Sequence, residues 1–523
     1  MRLFLSLISA LALVSCASTG VPAADPAPAP AGPPRTESGA RILDIDGATC
    51  FQAMDNFAAS DCWSMQKVGL WSEESRNRVA DLLFSTDKGI GLSAWRFNIG
   101  AGKRPENDWR TAETFEVAEG QYDWSRQAAE CWFLTAAKAR GVKQFIAFVN
   151  SPPARITRNG LTYCTPEIGP TNLKEGHEGQ YARYIVDILK HFRENPDPAQ
   201  RIEFGWISPV NEPQWDWNDP GQECNRVPND VIKSILRALD AELKRQSVPT
   251  KILAPESGSL AIPGMTNSID MHGACYGDYV RQFCGDPEMA DIMGRLICSH
   301  SYRSDLLPNG LVNARRKLRE LLDLYPGWKY WQSEYCIMQG AKGEGGGSRD
   351  LGMATALDVA RVMRQDLVLL NASAWQWWTA LSAAQFKDGL LYTDWQKSGD
   401  PETVYPSKTL WAFGNYSRFV RPGARRVALD GADDLNGLLG AAWNDREDGR
   451  LVAVLINVGT GSEAVRLRER RLPDNAVVRS WTPWVTSDAP GDDLRRGASF
   501  PAGEDYVVPA RSIVTLVGNV RGV

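Results

Sequence analysis

The chain has 523 residues, of which 43% are hydrophobic and 23% charged, a balance that is typical of globular proteins and excludes a wholly disordered chain. Its 58 Lys and Arg against 63 Asp and Glu give a formal net charge of −5, which argues against a nucleic-acid-binding protein, since such proteins carry a basic face. Its 4 His are not at metal-ligand spacing, whereas its 19 Trp predict buried rings or stacking platforms for flat ligand faces.

The amino-terminal residues have the composition of an export signal. Residues 1–15 hold one Arg and then an apolar run, which predicts a signal peptide too short to span a membrane as a mature helix. The sequence LVSC at residues 13–16 resembles the bacterial lipobox, so Cys16 is the predicted lipid-attachment site; a plain signal peptide with an incidental Cys16 is the alternative. Residues 16–40, rich in Pro and Ala, predict a tether. We expect an exported lipoprotein of the outer membrane or cell surface, or else a periplasmic or secreted protein.

Export would permit disulfides. The chain has 10 Cys, so an odd number follows Cys16 and at least one thiol is free or pairs with another molecule. Cys275 and Cys284 are close enough in sequence for a local bridge, but the sequence leaves the pairing open.

From residue 54 to 420, short apolar runs alternate with longer amphipathic ones. They predict strands near residues 54–59, 91–98, 142–150, 202–210, 251–254, 292–300, 329–334 and 372–378. Between them, apolar residues recur at i, i+3, i+4 and i+7, most clearly at 181–192, 231–243 and 311–324. This alternation predicts an α/β fold, a (β/α)8 TIM barrel with loop insertions.

The pattern changes after the barrel. Residues 421–523 contain short β-rich runs between Gly, Asp and Pro turns, which predict an all-β side domain, a sandwich. Residues 41–53 also read as a strand and precede the barrel. We expect them to pair into that side domain from the other end of the chain.

Residues at the carboxyl ends of barrel strands converge on one cavity, so they are the candidate site. They are Arg96, Asn98, Asn150, Asn211, Glu212, His300, Tyr302, Glu334, Trp375 and Trp377. Glu212 and Glu334 follow the fourth and seventh strands, on opposite sides of the cavity. Hydrolysis of a glycosidic bond needs one carboxyl group to protonate the leaving oxygen and another to meet the oxocarbenium-like carbon. The sequence therefore predicts a glycoside hydrolase that uses neither metal nor cofactor.

Five segments, in order, resemble glycoside hydrolase family 30 of clan A. They are WRFNIGAG at 95–102, NSPP at 150–153, ISPVNEP at 207–213, WQSEY at 331–335 and GNYSRFVRPG at 414–423. The Asn-Glu-Pro tripeptide alone is a weak signal, whereas the ordered set is specific. The resemblance extends from about residue 45 to the end of the chain and implies a barrel followed by a side β-domain.

The resemblance also implies roles for the candidate residues. Glu212 is the implied general acid/base and Glu334 the nucleophile of a retaining reaction, with carboxyl groups about 5 Å apart. Arg96 is implied to keep Glu334 ionised, and Asn211 to bind the sugar 2-hydroxyl. The other predicted substrate-binding residues line the cleft or its outer subsites, with ordinary packing as the alternative for the rings: Asn98, Asn150, Trp215, Trp217, His300, Tyr302, Trp375 and Trp377.

One departure from the family bears on the substrate. Many members have Trp shortly after Ser-Pro-Pro, where this chain has Ala154 and Arg155; Arg155 is predicted to donate to sugar hydroxyls or to an acidic substituent. With DCWS at 61–64, this favours the endo-β-1,6-galactanase-like branch, acting on arabinogalactan side chains. A β-1,6-glucanase, a xylan-active enzyme and an exo-acting β-glycosidase rank next. A non-catalytic glycan-binding surface lipoprotein and a metal-dependent hydrolase are alternatives of another class.

Overall fold

The structure is a computed structural model that describes residues 34–104, 109–261, 263–338, 345–473 and 476–521. The predicted signal peptide, Cys16 and most of the predicted tether lie outside the described residues. In the described part of the chain, no helix is long and apolar enough to cross a membrane. The cysteines described there, from Cys50 to Cys336, are free thiols.

Parallel strands form the wall of the first domain, and each predicted strand is present. We number them barrel strands 1 to 8: Asn56–Ala59, Ala94–Asn98, Gln144–Phe148, Phe204–Ser208, Lys251–Ile252 with Ala254–Ser257, Leu296–His300, Lys329–Glu334 and Ala374–Trp377. Strands 2 to 5 pair in parallel, and so do strands 5 to 8 and then strand 1. A parallel bridge from Ser60 to Arg96 connects strand 1 to strand 2. The pairings thus return to the first strand, and the domain is an α/β, TIM-barrel-like domain.

Helices follow these strands in the chain, and the last of them comes after strand 8. Those described are α1 (Met65–Val68), α2 (Glu73–Phe84), α3 (Ala128–Ala139), α4 (Glu178–Arg193), α5 (Asn229–Gln246), α6 (Pro287–Ile292), α7 (Arg315–Leu322), α8 (Met353–Leu369) and α9 (Lys408–Ser417). Helix α4 buries Tyr181, Ile185 and Leu189, the face that its period of 3.6 predicts. Short β-segments extend the loops after strands 2, 5 and 8: Glu116–Ala118, Gln121–Tyr122, Ser268–Met271, Ala274–Gly277, Leu381–Ser382, Leu391–Thr393 and Val404–Pro406.

Apolar side chains fill the inside of the barrel below the strand ends. The cluster there combines small residues, such as Ala58 and Ala94, with the large ring of Trp331. A second, larger layer lies between the strands and the helices. The polar residues at the carboxyl ends of the strands therefore lie above a packed apolar layer, as is usual for this architecture.

The second domain is β-rich. Its strands are Arg41–Ala53, Arg425–Asp430, Leu438–Asp445, Arg450–Asn457, Glu463–Arg470, Val477–Ser487, Arg495–Arg496, Phe500–Pro501, Tyr506–Val508 and Ser512–Arg521. The amino-terminal strand lies between Arg425–Asp430, which it pairs antiparallel, and Glu463–Arg470, which it pairs parallel. Residues from the two ends of the chain are thus neighbours in this domain.

The strands of this domain belong to one hydrogen-bonded sheet, whereas a sandwich implies two. The sheet curls: Trp481, from a strand near one end, donates its indole N–H to Glu469 near the other, at 3.0 Å. Alternate residues face two directions, so Leu439 and Trp443 pack toward the barrel helices while Leu438 packs into the domain's own core. One curled sheet therefore encloses the core that the prediction assigned to two sheets.

Candidate active site

The ends of barrel strands 4 and 7 bring Glu212 and Glu334 close together. Glu334 is the last residue of strand 7, and Glu212 follows strand 4 in a left-handed backbone conformation, with φ of +45°. A carboxylate oxygen of Glu212 lies within 4.8 Å of one of Glu334. A left-handed Glu is uncommon and is typical of functional sites, where the surroundings hold the backbone in place.

Glu334 is surrounded by hydrogen-bond donors. An Arg96 Nη1 of strand 2 forms a buried ion pair with its Oε2, and the Tyr302 hydroxyl donates to its Oε1 at 2.9 Å. The ring of His300 lies 3.5 Å from the same oxygen. A guanidinium and a phenol are thus directed at the two oxygens of one carboxylate, and a bond from a charged donor fixes its position strongly.

Glu212 has a different environment. Its backbone N–H donates to the carbonyl of Glu256 at 2.9 Å, and its own carbonyl accepts the indole N–H of Trp217, also at 2.9 Å. Its carboxyl group faces His300 Nδ1 at 2.9 Å. Burial raises the pKa of Glu212, and the hydrogen bond from His300 offsets only part of the rise. This carboxyl group is therefore suited to carry a proton.

His300 lies between the two glutamates, and Glu256 binds its other ring nitrogen. His300 Nε2 is 3.2 Å from Glu256 Oε2. Burial opposes a charged ring, but the charge of Glu334 and the hydrogen bonds to Glu212 and Glu256 raise the pKa of His300 to about 10. Sequence reasoning missed Glu256, although it lies in the segment APES of barrel strand 5, a strand-end position of the kind that identified the other candidates.

Three amide side chains lie at the same end of the barrel. Asn150 Nδ2 donates to Asn98 Oδ1 at 3.0 Å. Within the described residues, Asn98 Nδ2 and Asn211 Oδ1 are buried without a hydrogen-bond partner. Buried polar atoms are normally paired, so an unpaired donor and an unpaired acceptor here suit a ligand rich in hydroxyl groups.

The loop after strand 4 packs tightly around Glu212. Trp215 and Trp217, the two predicted outer-subsite rings, are both partly buried. A Cβ built at Gly258 would lie 2.3 Å from Trp215 Nε1 and 2.7 Å from Glu212 Oε1. Both distances are far below van der Waals contact, so the carboxyl group of Glu212 can occupy its position only because residue 258 is glycine.

We expect Gly258→Ala to lower kcat by about 100-fold, because a displacement of about 1 Å in a reacting group can cost this much. The matched control is Gly205→Ala on barrel strand 4, where an added Cβ meets its nearest atom at 3.9 Å. Steady-state kinetics and thermal unfolding of both variants test the prediction. Equal activity of the two variants would contradict the close fit around Glu212.

The tryptophans of strand 8 lie differently from the prediction. Trp375 has 0% exposure, and its indole N–H donates to Asp366 of helix α8 at 2.8 Å. Trp377 is 1% exposed and donates to the carbonyl of Asp388 at 2.7 Å. Because side chains alternate along a strand, both rings face the layer between strands and helices. The structure therefore brings neither Trp375 nor Trp377 to the cleft, and the partly exposed ring next to them in the chain is Trp378.

Arg155 is also engaged elsewhere. It lies in the short turn Ala154–Ile156, and its guanidinium forms an ion pair with the buried Glu116 at 2.6 Å. It also donates to Gln180 at 3.3 Å. The structure thus pairs Arg155 with a carboxylate of the loop after strand 2, which competes with the predicted bond to a sugar, and does not join it to the glutamate cluster.

A cavity of about 370 Å³ opens beside the ends of strands 7 and 8. Its wall includes Cys336, which follows Glu334 closely in the chain, and four aromatic rings with two charged groups: Trp63, Trp109, Trp378, Phe386, Arg110 and Asp388. Trp63 and Trp378 meet edge to face, with centroids 5.9 Å apart. A cavity of this size, whose wall combines aromatic rings with polar side chains, is typical of a small-ligand site.

Glu212, His300 and Glu334 also have ligand-type atoms within 4.8 Å of one another, a spacing that a metal ion could use. These atoms are already bonded to each other or to Tyr302, and the guanidinium of Arg96 lies against Glu334. A permanent positive charge at this distance repels a cation. The close spacing of these three residues is therefore explained by the hydrogen bonds of groups that bind protons.

The sequence is similar to those of known proteins. A family model described as O-Glycosyl hydrolase family 30 matches residues 40–392. The chain is 21% identical over 518 residues to an endo-beta-1,6-galactanase of Hypocrea rufa, covering 90% of this chain and 95% of that protein.

Two solved structures have the same fold. A conserved exported protein from Bacteroides fragilis has a TM-score of 0.81 at 29% identity, covering 91% of this chain and 100% of that one. The catalytic domain of the xylanase C of Talaromyces cellulolyticus has a TM-score of 0.68 at 20% identity, covering 91% and 100%. Because the family model matches more than half of the chain, the protein belongs to glycoside hydrolase family 30 and is a glycosidase.

Proposed function

We propose that the protein is a retaining glycosidase in which Glu334 is the nucleophile and Glu212 the general acid/base. The observation that carries the proposal is the approach of the two carboxylates to within 4.8 Å, in opposite surroundings. Retaining enzymes hold the two groups about 5–5.5 Å apart, whereas inverting enzymes leave about 6.5–9.5 Å for a water molecule. Arg96 forms an ion pair with Glu334, while burial supports the protonated form of Glu212.

In the first step, Glu212 donates its proton to the glycosidic oxygen while a carboxylate oxygen of Glu334 attacks the anomeric carbon from the opposite face. The bond to the leaving sugar breaks, and a glycosyl–enzyme ester forms. In the second step, Glu212 removes a proton from water, which attacks the same carbon and releases Glu334. Asn211, with its unpaired Oδ1, is the proposed partner of the sugar 2-hydroxyl.

We also propose that the substrate is a β-1,6-linked galactan, cut within the chain. The support is the alignment with the Hypocrea rufa endo-beta-1,6-galactanase over 90% of this chain. The DCWS segment, which favoured the same branch, contributes Trp63 and Ser64 to the wall of the cavity at the ends of strands 7 and 8. Aromatic faces in such a cavity bind the apolar face of a sugar ring.

The domain limits and the location complete the proposal. Residues 54–420 form the catalytic barrel, and residues 41–53 and 421–523 form the side domain. Residues 1–15 direct export, and Cys16 carries the lipid. The resemblance to a protein described as exported, at 29% identity and over 91% of this chain, supports export.

Product analysis tests the substrate. The protein is incubated separately with β-1,6-galactan, β-1,6-glucan and glucuronoxylan, with a Glu334→Ala variant as the inactive control. We expect short oligosaccharides from the galactan alone, with internal cuts seen as an early fall in polymer length. Products from the glucan or the xylan instead would move the proposal to that sugar, and release of monosaccharide alone would contradict internal cutting.

A further inference from the structure

Glu256 is a buried carboxylate that no step of the proposed mechanism uses. It lies in barrel strand 5, has 0% exposure and adopts a left-handed φ of +55°. Its Oε2 is 3.2 Å from His300 Nε2, and its Oε1 is 3.5 Å from Arg96 Nη2, an ion-pair distance. The hydroxyls of Ser208 and Ser333 donate to the same carboxylate. Three hydrogen-bonding side chains and one cation, from strands 2, 4, 6 and 7, thus converge on one carboxylate.

Glu256 is also connected to both proposed catalytic glutamates, either directly or through one intervening side chain. Its carbonyl accepts the backbone N–H of Glu212 at 2.9 Å, and its carboxylate holds the ring that faces Glu212. Through Arg96 it contacts the guanidinium that pairs with Glu334. A residue with left-handed backbone and this many partners is held in place by its surroundings, which is the arrangement expected at a functional site.

The charges in this cluster balance when Glu256 is ionised. Arg96 and the doubly protonated His300 carry positive charge, Glu256 and Glu334 carry negative charge, and Glu212 is neutral while it holds its proton. Burial would raise the pKa of Glu256, but the charge of Arg96 and the hydrogen bond and charge of His300 lower it to about 2. Charges removed from water are stable only when paired, so loss of this anion would leave an excess of positive charge.

The titratable and charged groups facing the cluster come from several elements: Asp61, Cys62, Arg96, Glu212, Cys298, His300, Tyr302, Arg303 and Glu334. Arg303 is exposed to solvent, which screens its charge. The buried anion that can balance both Arg96 and His300, besides the nucleophile, is therefore Glu256.

We propose that Glu256 is a positioning residue of the glycosidase reaction: it holds His300 and Arg96 against the two catalytic glutamates and balances their charge while Glu212 carries its proton. This inference rests on the roles proposed above for Glu212 and Glu334. It adds to the site a carboxylate that touches neither the substrate nor the reacting atoms.

The pH profile of Glu256→Gln tests the proposal. We expect kcat to fall by about 100-fold, because His300 and Arg96 lose their anchor. The basic limb of kcat/KM is expected to move to lower pH by about one to two units, because removal of a nearby negative charge lowers the pKa of the groups that still bind protons. Glu256→Asp keeps the charge, so it should lower kcat and leave the limb in place.

Glu130→Gln is the matched control. Glu130 is another buried carboxyl group, on helix α3, and faces Gln127 at 3.4 Å. We expect its kcat and its pH profile to match those of the unchanged protein. A Glu256→Gln variant that is slower but keeps the original basic limb would make Glu256 merely structural and would overturn the proposal, as would unchanged kinetics.

Nuclear magnetic resonance of the histidine rings tests the same cluster without turnover. The chain has 4 His, so the His300 signals can be assigned from a His300→Asn sample. We expect a doubly protonated His300 ring at pH 8 in the unchanged protein and a transition at lower pH in Glu256→Gln. A neutral ring in the unchanged protein at pH 8 would overturn the proposal even if Glu256→Gln failed to fold. If no glycan were cleaved, the proposed function would fail while this spectrum still decided the charge of the cluster.

Discussion

Replacing Glu334 with alanine is expected to lower kcat by about 10,000-fold or more on every substrate, because the proposed glycosyl–enzyme ester cannot form without this carboxylate. Arg96 keeps Glu256 as a partner in this variant, so the barrel end should remain folded. Initial rates and thermal unfolding, measured side by side, separate loss of chemistry from loss of structure. Residual activity within about 10-fold of the unchanged protein would exclude Glu334 as the nucleophile.

Azide identifies the face from which Glu334 acts. In Glu334→Ala the anion can enter the space beside Arg96 and attack the anomeric carbon from the side that the carboxylate occupied. A single displacement inverts the configuration, so a β-linked substrate should yield the α-glycosyl azide. A β-glycosyl azide from this variant would contradict the assignment.

Replacing Glu212 with alanine is expected to lower kcat on the polysaccharide by about 1,000-fold, because the leaving oxygen then departs without a proton. An aryl glycoside with an acidic phenol as leaving group needs little protonation, so its first step should be far less affected. The second step stays slow without a base, and a burst of phenol should precede a slow steady state. Azide should here give the β-glycosyl product, since it attacks the intact glycosyl–enzyme ester.

The pH dependence gives Glu212 a second test. A general acid works in its protonated form, so the activity of the unchanged protein should fall as the pH rises through the pKa of Glu212, which burial raises. In Glu212→Ala with an activated aryl glycoside, this basic limb should be absent from kcat/KM. If the limb persisted unchanged, another group would be the acid.

The strand positions were predictable because they depend on local patterns. Alternation of short apolar runs with amphipathic helices located each barrel strand, and helix α4 buries the face that its spacing predicted. The carboxyl ends of parallel strands converge whatever the detailed packing. The strand-end positions of Arg96, Glu212, His300 and Glu334 therefore predicted that these four residues lie near one another.

Side-chain direction at the strand ends was not predictable in the same way. The rings of Trp375 and Trp377 lie on the side of strand 8 that faces the helices, whereas Trp378 borders the cavity. A register shift between Ser299 and His300 changes the pairing at the end of strand 6. A one-residue shift reverses the side that a residue faces, and nothing local in the sequence marks where it occurs.

The sequence by itself determined the α/β architecture, the β-rich domain and the pair of glutamates, because periodicity and strand ends are properties of short segments. Only the tertiary structure decided the surroundings of that pair. Glu256 contacts His300, which is 44 residues away in the chain. Arg155 pairs with Glu116, which is 39 residues away. Such contacts depend on the packing of distant loops and strands, so their electrostatic consequences, including the raised pKa of the buried Glu212, emerge only when the chain is folded.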